Sequence, residues 1–279
     1  MGAARIAAVV EEFVLNLSQL KNRIVRWRVR CAEPLRSLSD LGWSARRRFR
    51  AARRSAAYQQ AYELPQPLVT VCVATYNRGR LLTERCLASL LAQDYPHLQI
   101  VVVGDACTDD TAERVAALGD ARIEFVNLER RGDYPTEPRH RWMVAGTLAM
   151  NHALSLARGQ FVTHLDDDDE HAPDRISTLL ALIRASRADI VWHPFDYERV
   201  PDEWHVNEAL RFAANNVSTS SVFYHHWLRA VPWDINAWRY EEPGDWNRFR
   251  KIRFLGVRAV RSPRRLLKHF RERNQTTPA

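Results

Sequence analysis

FVTHLDDDDEHAP, residues 161–173, is an apolar strand pattern that runs into four consecutive aspartates. Because side chains at positions i and i+2 of an extended chain point to the same face, Asp166 and Asp168 can converge on one cation while Asp167 and Asp169 face elsewhere. Carboxylate oxygens suit Mg²⁺ or Mn²⁺, ions that also bind substrate phosphates. The stretch therefore predicts a divalent-cation site for a phosphate-bearing substrate. The alternative is an acidic surface turn before a helix, where negative charge is favourable.

Two further apolar runs precede this stretch, and both also end in polar residues. LVTVCVATYNR (68–78) ends in Thr75, Tyr76, Asn77 and Arg78, and LQIVVVGDACTDDT (98–111) ends in a group that begins with Asp105. Helices are predicted between the two runs, at about 80–92, and before the acidic strand, at about 146–157. Strands that are apolar throughout indicate a parallel sheet covered on both faces, and such sheets bind ligands at the carboxyl ends of their strands.

The composition is that of a globular protein. The chain has 279 residues, of which 46% are hydrophobic and 27% charged, enough for a sizeable core. No apolar run is long enough to predict a membrane-spanning helix, and Glu11 and Glu12 interrupt the run that a signal peptide would need. The cysteines, at 31, 72, 86 and 107, form no CxxC pair. We therefore expect a cytoplasmic protein, either free or peripheral at the inner face of the membrane.

The net charge of +8 is unevenly distributed along the chain. Residues 1–61 carry 13 Arg and Lys against 4 acids, residues 248–275 carry 11 against 1, and the middle is strongly acidic. An acidic middle fits a cation site and argues against a nucleic-acid-binding domain. The basic ends could face anionic lipid, an anionic ligand or a protein partner, or they could be solvated surfaces.

The first 64 residues predict a basic helical arm ahead of a domain at 66–279. Apolar residues from Ile6 to Trp27 alternate at spacings of four and three, the pattern of a helix with one apolar seam. Residues 6–30 could self-associate, pack on the domain or lie on a membrane surface. A second basic helix, at about 44–62, is expected to be solvated or to face anions, with Pro65 and Pro67 as a hinge after it.

Three segments together resemble a known family. VTVCVATYNR, IVVVGDACTDDT and AMNHALSLARGQFVTHLDDDDEHAP occur in the order and spacing of family 2 glycosyltransferases, closely over 68–175 and more loosely over 176–275. The resemblance implies an α/β GT-A fold, which is a Rossmann-like, mostly parallel sheet flanked by helices. It also implies transfer of a sugar from a nucleotide-diphosphate donor to a hydroxyl acceptor, with inversion and with a metal ion on a DxD motif.

The resemblance also implies roles for particular donor-binding residues. Thr75, Tyr76, Asn77 and Arg78 match the loop after the first strand, which binds the donor. Asp105 matches an acid that binds the base or ribose, and an acceptor carboxylate there suits the imide N–H of uracil or thymine, so UDP or dTDP is favoured.

Further roles follow for residues of the later segments. Asn151, Asp166 and Asp167 are assigned to the donor, although Asn151 could equally be a polar residue on a helix surface. Asp168 and Asp166 match the DxD motif as ligands of Mg²⁺ or Mn²⁺, and late His269 is a further candidate for the same site. The acceptor is not predicted by any motif.

The acceptor hydroxyl needs a base, and the family places an Asp before an aromatic residue at the start of a late helix. Asp245, followed by Trp246, matches this position, with Glu242 and Glu241 as substitutes. Asp245 could instead serve only as a helix cap. The alternative for the whole chain is a catalytically inactive protein that binds a nucleotide sugar or acts as an adaptor at an anionic surface.

Overall fold

The computed structural model describes residues 33–271, and the apolar seam predicted within residues 6–30 lies outside that range. The helices are α1 33–41, α2 Ala45–Arg54, α3 Ala56–Glu63, α4 Gly79–Leu81, α5 Ala88–Leu91, α6 Thr111–Ala117, α7 Pro138–Val144, α8 Thr147–Leu156, α9 Arg175–Ser186 and α10 Gly244–Phe254. A π-helical segment, Leu82–Leu87, joins α4 to α5, so the predicted helix at 80–92 forms as one continuous element.

The strands form two sheets. They are β1 Val69–Thr75, β2 Leu98–Gly104, β3 Ile123–Asn127, β4 Phe161–His164, β5 Glu170–His171, β6 Ile190–Trp192, β7 Phe195–Val200, β8 Glu203–Asn207, β9 Val222–His225, β10 Ala259–Arg261 and β11 Leu267–His269. Seven of them lie in the order β10-β6-β9-β4-β1-β2-β3, and the smaller sheet has the order β5-β11-β7-β8.

The large sheet is mostly parallel, as the continuous apolar strands predict. Strand β1 pairs in parallel with β2 and β4, β2 with β3, and β6 with β10, whereas β9 runs antiparallel to both of its neighbours. Every residue of β2 is buried, because helices and loops cover both faces of the sheet. In register, Thr75 lies opposite Gly104, and Leu165 donates to the Cys72 carbonyl. The polar segments after β1, β2 and β4 therefore meet at one edge.

The basic segment at about 44–62 differs from the single solvated helix that its sequence suggests. Ser55 divides it into α2 and α3, and the Ser55 hydroxyl accepts from the Tyr58 backbone N–H at 3.2 Å. Phe49 and Tyr58 are buried, while the arginines at 46, 47, 48, 50 and 54 are exposed as expected. The Tyr58 hydroxyl donates to buried Asp189 at 2.7 Å. These two helices pack on the α/β core, and the division of the chain at residue 64 stays a prediction.

No helix within residues 33–271 has both the length and the apolar character required to cross a bilayer. The predicted cellular location stays a prediction.

Candidate active site

A cavity of about 640 Å³ opens at the carboxyl ends of β1, β2 and β4. It is lined by most of the side chains that the sequence predicted to act together: Thr75, Tyr76, Arg78, Asp105, Asp166, Asp167, Asp168, Asp245 and His269. These residues come from five separate segments, which the topology of the sheet brings together. Asn77 and Asn151, also predicted to bind the donor, do not line it.

Hydrogen bonds connect the loop after β1 to the four aspartates at 166–169, which we call the acidic turn. The Thr75 hydroxyl donates to Asp167 at 2.7 Å, and Arg78 Nη1 donates to Asp167 at 3.0 Å and to Asp168 at 2.9 Å. Asn77 has a left-handed backbone, with φ of 50°, and its side chain accepts from the Thr108 N–H at 2.8 Å. Asn77 thus holds the loops after β1 and β2 together, whereas Thr75 and Arg78 orient the carboxylates.

Asp105 is a buried carboxylate without a hydrogen-bond donor among the described residues. Its side chain is 2% exposed, and neither oxygen has a hydrogen-bond partner. The Arg131 guanidinium lies beside it, with Nε 3.5 Å from the carboxylate, and covers the Tyr76 ring at 3.5 Å from the centroid. An acceptor next to a flat ring suits a planar heterocycle that carries an N–H donor.

Arg131 and Tyr134 are residues of this subsite that the sequence interpretation missed. Both lie in the loop after β3, and the Tyr134 hydroxyl is buried without a partner among the described groups. Burial, and then the charge of Asp105, raises the pKa of Tyr134. The position of this loop could have indicated its role, because it follows the carboxyl end of a parallel strand, as the loops after β1 and β2 do.

The acidic turn places its aspartates differently from an extended strand. Strand β4 ends at His164, and the Asp169 N–H donates back to the Asp166 carbonyl at 3.1 Å. The i, i+2 rule predicted that Asp169 would face away from the cation site. This prediction was wrong, because the backbone is no longer extended after β4. Ligand atoms of Asp166, Asp169 and His269 lie within 4.8 Å of one another and could hold a metal ion.

Contacts from the end of β11, in the smaller sheet, hold Asp169 in place. His269 Nδ1 lies 2.8 Å from Asp169 Oδ2, and the Phe270 N–H donates to Asp169 Oδ1 at 3.0 Å. Burial disfavours protonated His269, but the nearby carboxylates, Asp169 foremost, raise its pKa to about 9. Burial and then Asp169 raise the pKa of Asp166 well above its usual range. Closely spaced carboxylates that resist ionisation together are a donor set that a divalent cation would stabilise.

Asp245 lies in the first turn of α10 and lines the cavity. Burial raises its pKa to about 6. Its proposed substitutes are engaged elsewhere. Glu242 is buried and accepts from Asn247 at 2.9 Å and from Arg250 at 3.2 Å, and exposed Glu241 pairs with Arg139 at 2.6 Å. Asp245 is therefore the carboxylate of this segment that faces the cavity.

Asn151 lies on α8 and has a structural contact with the backbone of Trp233. Its side-chain amide donates to the Trp233 carbonyl at 3.1 Å and its side-chain oxygen accepts from the Trp233 N–H at 2.8 Å. Trp233 lines the cavity, so Asn151 shapes the wall from behind. Its predicted contact with the donor stays a prediction.

The profile described as "Glycosyl transferase family 2" matches residues 70–136 and 138–227. A relative in Campylobacter jejuni, "GalNAc(5)-diNAcBac-PP-undecaprenol beta-1,3-glucosyltransferase", is 34% identical over 116 residues, which are 41% of this chain and 34% of that protein. The chain spans less than half the length of the first curated relatives that it matches.

Two solved structures share the fold. Staphylococcus aureus TarS 1–349, "in complex with UDP-GlcNAc", has a TM-score of 0.55 and 20% identity, over 76% of this chain and 61% of that one. Mannosyltransferase PcManGT from Pyrobaculum calidifontis, "in complex with GDP-Man and Mn2+", has a TM-score of 0.52 and 19% identity, over 88% of this chain and 69% of that one. These likenesses confirm the expected GT-A class of fold.

Proposed function

Because the chain belongs to glycosyl transferase family 2, we propose that it transfers a sugar from a nucleotide-diphosphate donor to an acceptor hydroxyl by single displacement, with inversion at the anomeric carbon. One observation carries the proposal. A single cavity gathers a buried carboxylate that lies beside an aromatic ring and accepts no hydrogen bond from the described residues, an acidic turn able to hold a cation, and a carboxylate whose pKa is raised into the range of a general base.

The nucleoside end of the donor is assigned to the subsite around Asp105. We infer that the base stacks on Tyr76 and donates its imide N–H to Asp105, which favours UDP or dTDP. Arg131 covers the Tyr76 ring, so a bound base would require Arg131 to move aside or to stack on the other face of the base. Thr75 and Asn77 hold the loop after β1 in place beside this subsite, and Asn151 holds Trp233 in another part of the cavity wall.

The diphosphate end is assigned to the acidic turn. Asp166, Asp169 and His269 form the group that would hold Mg²⁺ or Mn²⁺. Asp168, the other acid of the DxD motif, lies outside that group and pairs with Arg78, but it lines the same cavity and is proposed as a further ligand. The bound cation would offset the negative charge that develops on the departing nucleotide diphosphate. Arg78 contacts both Asp167 and Asp168, and it lies where it can orient these carboxylates and approach a phosphate.

The acceptor end is assigned to Asp245. A carboxylate with a pKa of about 6 is ionised at neutral pH, yet it is more basic than an ordinary aspartate. It accepts the proton of the acceptor hydroxyl while the oxygen attacks the anomeric carbon on the side opposite the leaving diphosphate. Attack from that side inverts the anomeric configuration.

The test is a panel of UDP, dTDP and GDP sugars, first in thermal shift with and without Mn²⁺ and then in transfer assays with candidate acceptors. A specific donor should raise the melting temperature by mass action, and should release its nucleotide only when an acceptor is present. The matched variant Asp245→Asn should bind the donor but lose turnover. Donor binding with no transfer by the wild type would favour the inactive nucleotide-sugar-binding alternative, and no binding of any donor would contradict the proposal.

A further inference from the structure

The helices α1 and α2 and the turn between them carry exposed side chains that do not line the catalytic cavity. Trp43, between the two helices, is 87% exposed, and Leu35 on α1 is 69% exposed. Exposed arginines follow along α2, at 46, 47, 48, 50 and 54. We call Leu35, Trp43 and these five arginines the docking face.

The arginines face outward because of how α2 packs. Ala45 and Phe49 are buried, and Phe49 lies against Trp227 with 5.1 Å between ring centroids. Arg47, Arg50 and Arg54 are three and four residues apart, so they share the opposite side of the helix. Within residues 33–271 these three have no ion-pair or side-chain hydrogen-bond partner, and α2 itself contains no acid.

The inner side of the same helix provides a comparison. Arg53 is partly buried and lies 3.4 Å from the buried carboxylate of Asp189. On α2, the arginine that faces the core is therefore paired with an acid, whereas the outer three have no acidic partner among the described residues. Uncompensated charge of one sign on one helical face is a feature of binding to an anionic partner.

The two apolar side chains indicate which anionic partner fits. A nucleic-acid backbone would pair with the arginines but would leave Trp43 and Leu35 in water. The surface of a bilayer offers phosphates to the arginines and an apolar boundary to both other residues, and tryptophan is enriched at such interfaces. Charge and apolar character together therefore favour a lipid surface.

We propose that the docking face binds the surface of an anionic lipid bilayer, with Trp43 and Leu35 entering the headgroup region and the arginines of α2 contacting lipid phosphates. The face is joined to the catalytic segment. The α1 residue Arg36 lies 3.3 Å from Glu242, and Trp246 Nε1 donates to Glu33 at 3.2 Å. If the transferase function proposed above is correct, docking brings the cavity to acceptors carried by membrane lipids; this last step depends on that function.

The experiment is co-sedimentation of the full chain with vesicles of phosphatidylcholine alone or mixed with phosphatidylglycerol. We expect binding to the anionic vesicles only. The triple variant Arg47→Gln, Arg50→Gln, Arg54→Gln should lower the partition coefficient on the order of a hundredfold, because each arginine near an anionic surface contributes a several-fold factor. Trp43→Ser should lower it roughly tenfold through lost apolar burial.

A charge-matched control separates this face from general basicity. It is Arg80→Gln, Arg199→Gln, Arg211→Gln, three exposed arginines on other elements, and it should change vesicle binding only a few-fold. Circular dichroism checks that both triple variants are folded. Three results would each overturn the proposal. The two triple variants could lose vesicle binding equally, or the wild type could fail to bind anionic vesicles. The α2 variant could also lose binding to nucleic acid while its vesicle binding is unchanged. Vesicle binding needs no turnover, so its failure is distinguishable from absence of transferase activity.

Discussion

The ionisation of Asp245 should limit the rate of sugar transfer at acid pH. Burial raises the pKa of Asp245 to about 6. The group acts as a base only when it is ionised, so the active form is present above pH 6 and is lost as the pH falls through that value. The rate constant kcat/KM should therefore fall about tenfold for each pH unit below 6, reaching about a tenth of its plateau near pH 5.

The variant Asp245→Asn tests whether this carboxylate is the base. In the native protein the carboxylate accepts from the Trp246 N–H at 2.6 Å, a bond that the amide oxygen of asparagine can also accept. The fold and donor binding should therefore persist while kcat falls by about 10²–10⁴, the usual contribution of a general base. The assay is initial-rate kinetics from pH 5 to 8 with saturating Mn²⁺.

Control variants are needed because the pKa of a second carboxylate in the cavity, Asp167, is also raised. Burial also raises the pKa of Asp167 to about 6, so an acid limb alone does not identify the base. The residual activity of Asp245→Asn should lose the limb near pH 6, and Asp245→Glu should restore part of kcat. Near-wild-type turnover in Asp245→Asn, or a persistent limb, would refute the assignment. Glu242→Gln is the matched comparison: it should leave the limb unchanged and lower stability instead, since Glu242 is buried against Arg250.

Three further results are expected. Asp105→Asn should weaken UDP binding about tenfold in calorimetry, because a charged acceptor is replaced by a neutral one. Unchanged affinity would contradict the assignment of Asp105 to the nucleobase of the donor. Asp168→Ala should abolish the Mn²⁺-dependent part of the donor-induced thermal shift, and retention of that part would place the cation elsewhere. Tyr58→Phe should cost about 2 kcal/mol in urea unfolding, since it removes a donor from buried Asp189, while Tyr95→Phe, which removes a bond to a neutral carbonyl, should cost about half as much. Equal costs would argue against the charged bond at Asp189.

Local sequence patterns predicted the sheet and most of the residues that line the cavity. Apolar runs that end in polar residues mark buried parallel strands, and the carboxyl ends of such strands meet at one edge whatever the rest of the chain does. This is why local patterns suffice to assign Thr75, Asp105 and Asp166 to one site. Asp245 could be assigned only through resemblance, because nothing in its own neighbourhood indicates which cavity its helix approaches.

Other features were decided by the tertiary structure. The alternation rule excluded Asp169, but a turn after β4 ends the extended backbone and directs this carboxylate to His269. Arg131 reaches Tyr76 and Asp105 from a loop that has no motif. Side-chain periodicity depends only on the local backbone, so the strands and their polar ends can be inferred from the order of the residues alone. Which groups meet in the cavity depends on where the chain turns and on contacts between distant segments, and only the folded structure determines those.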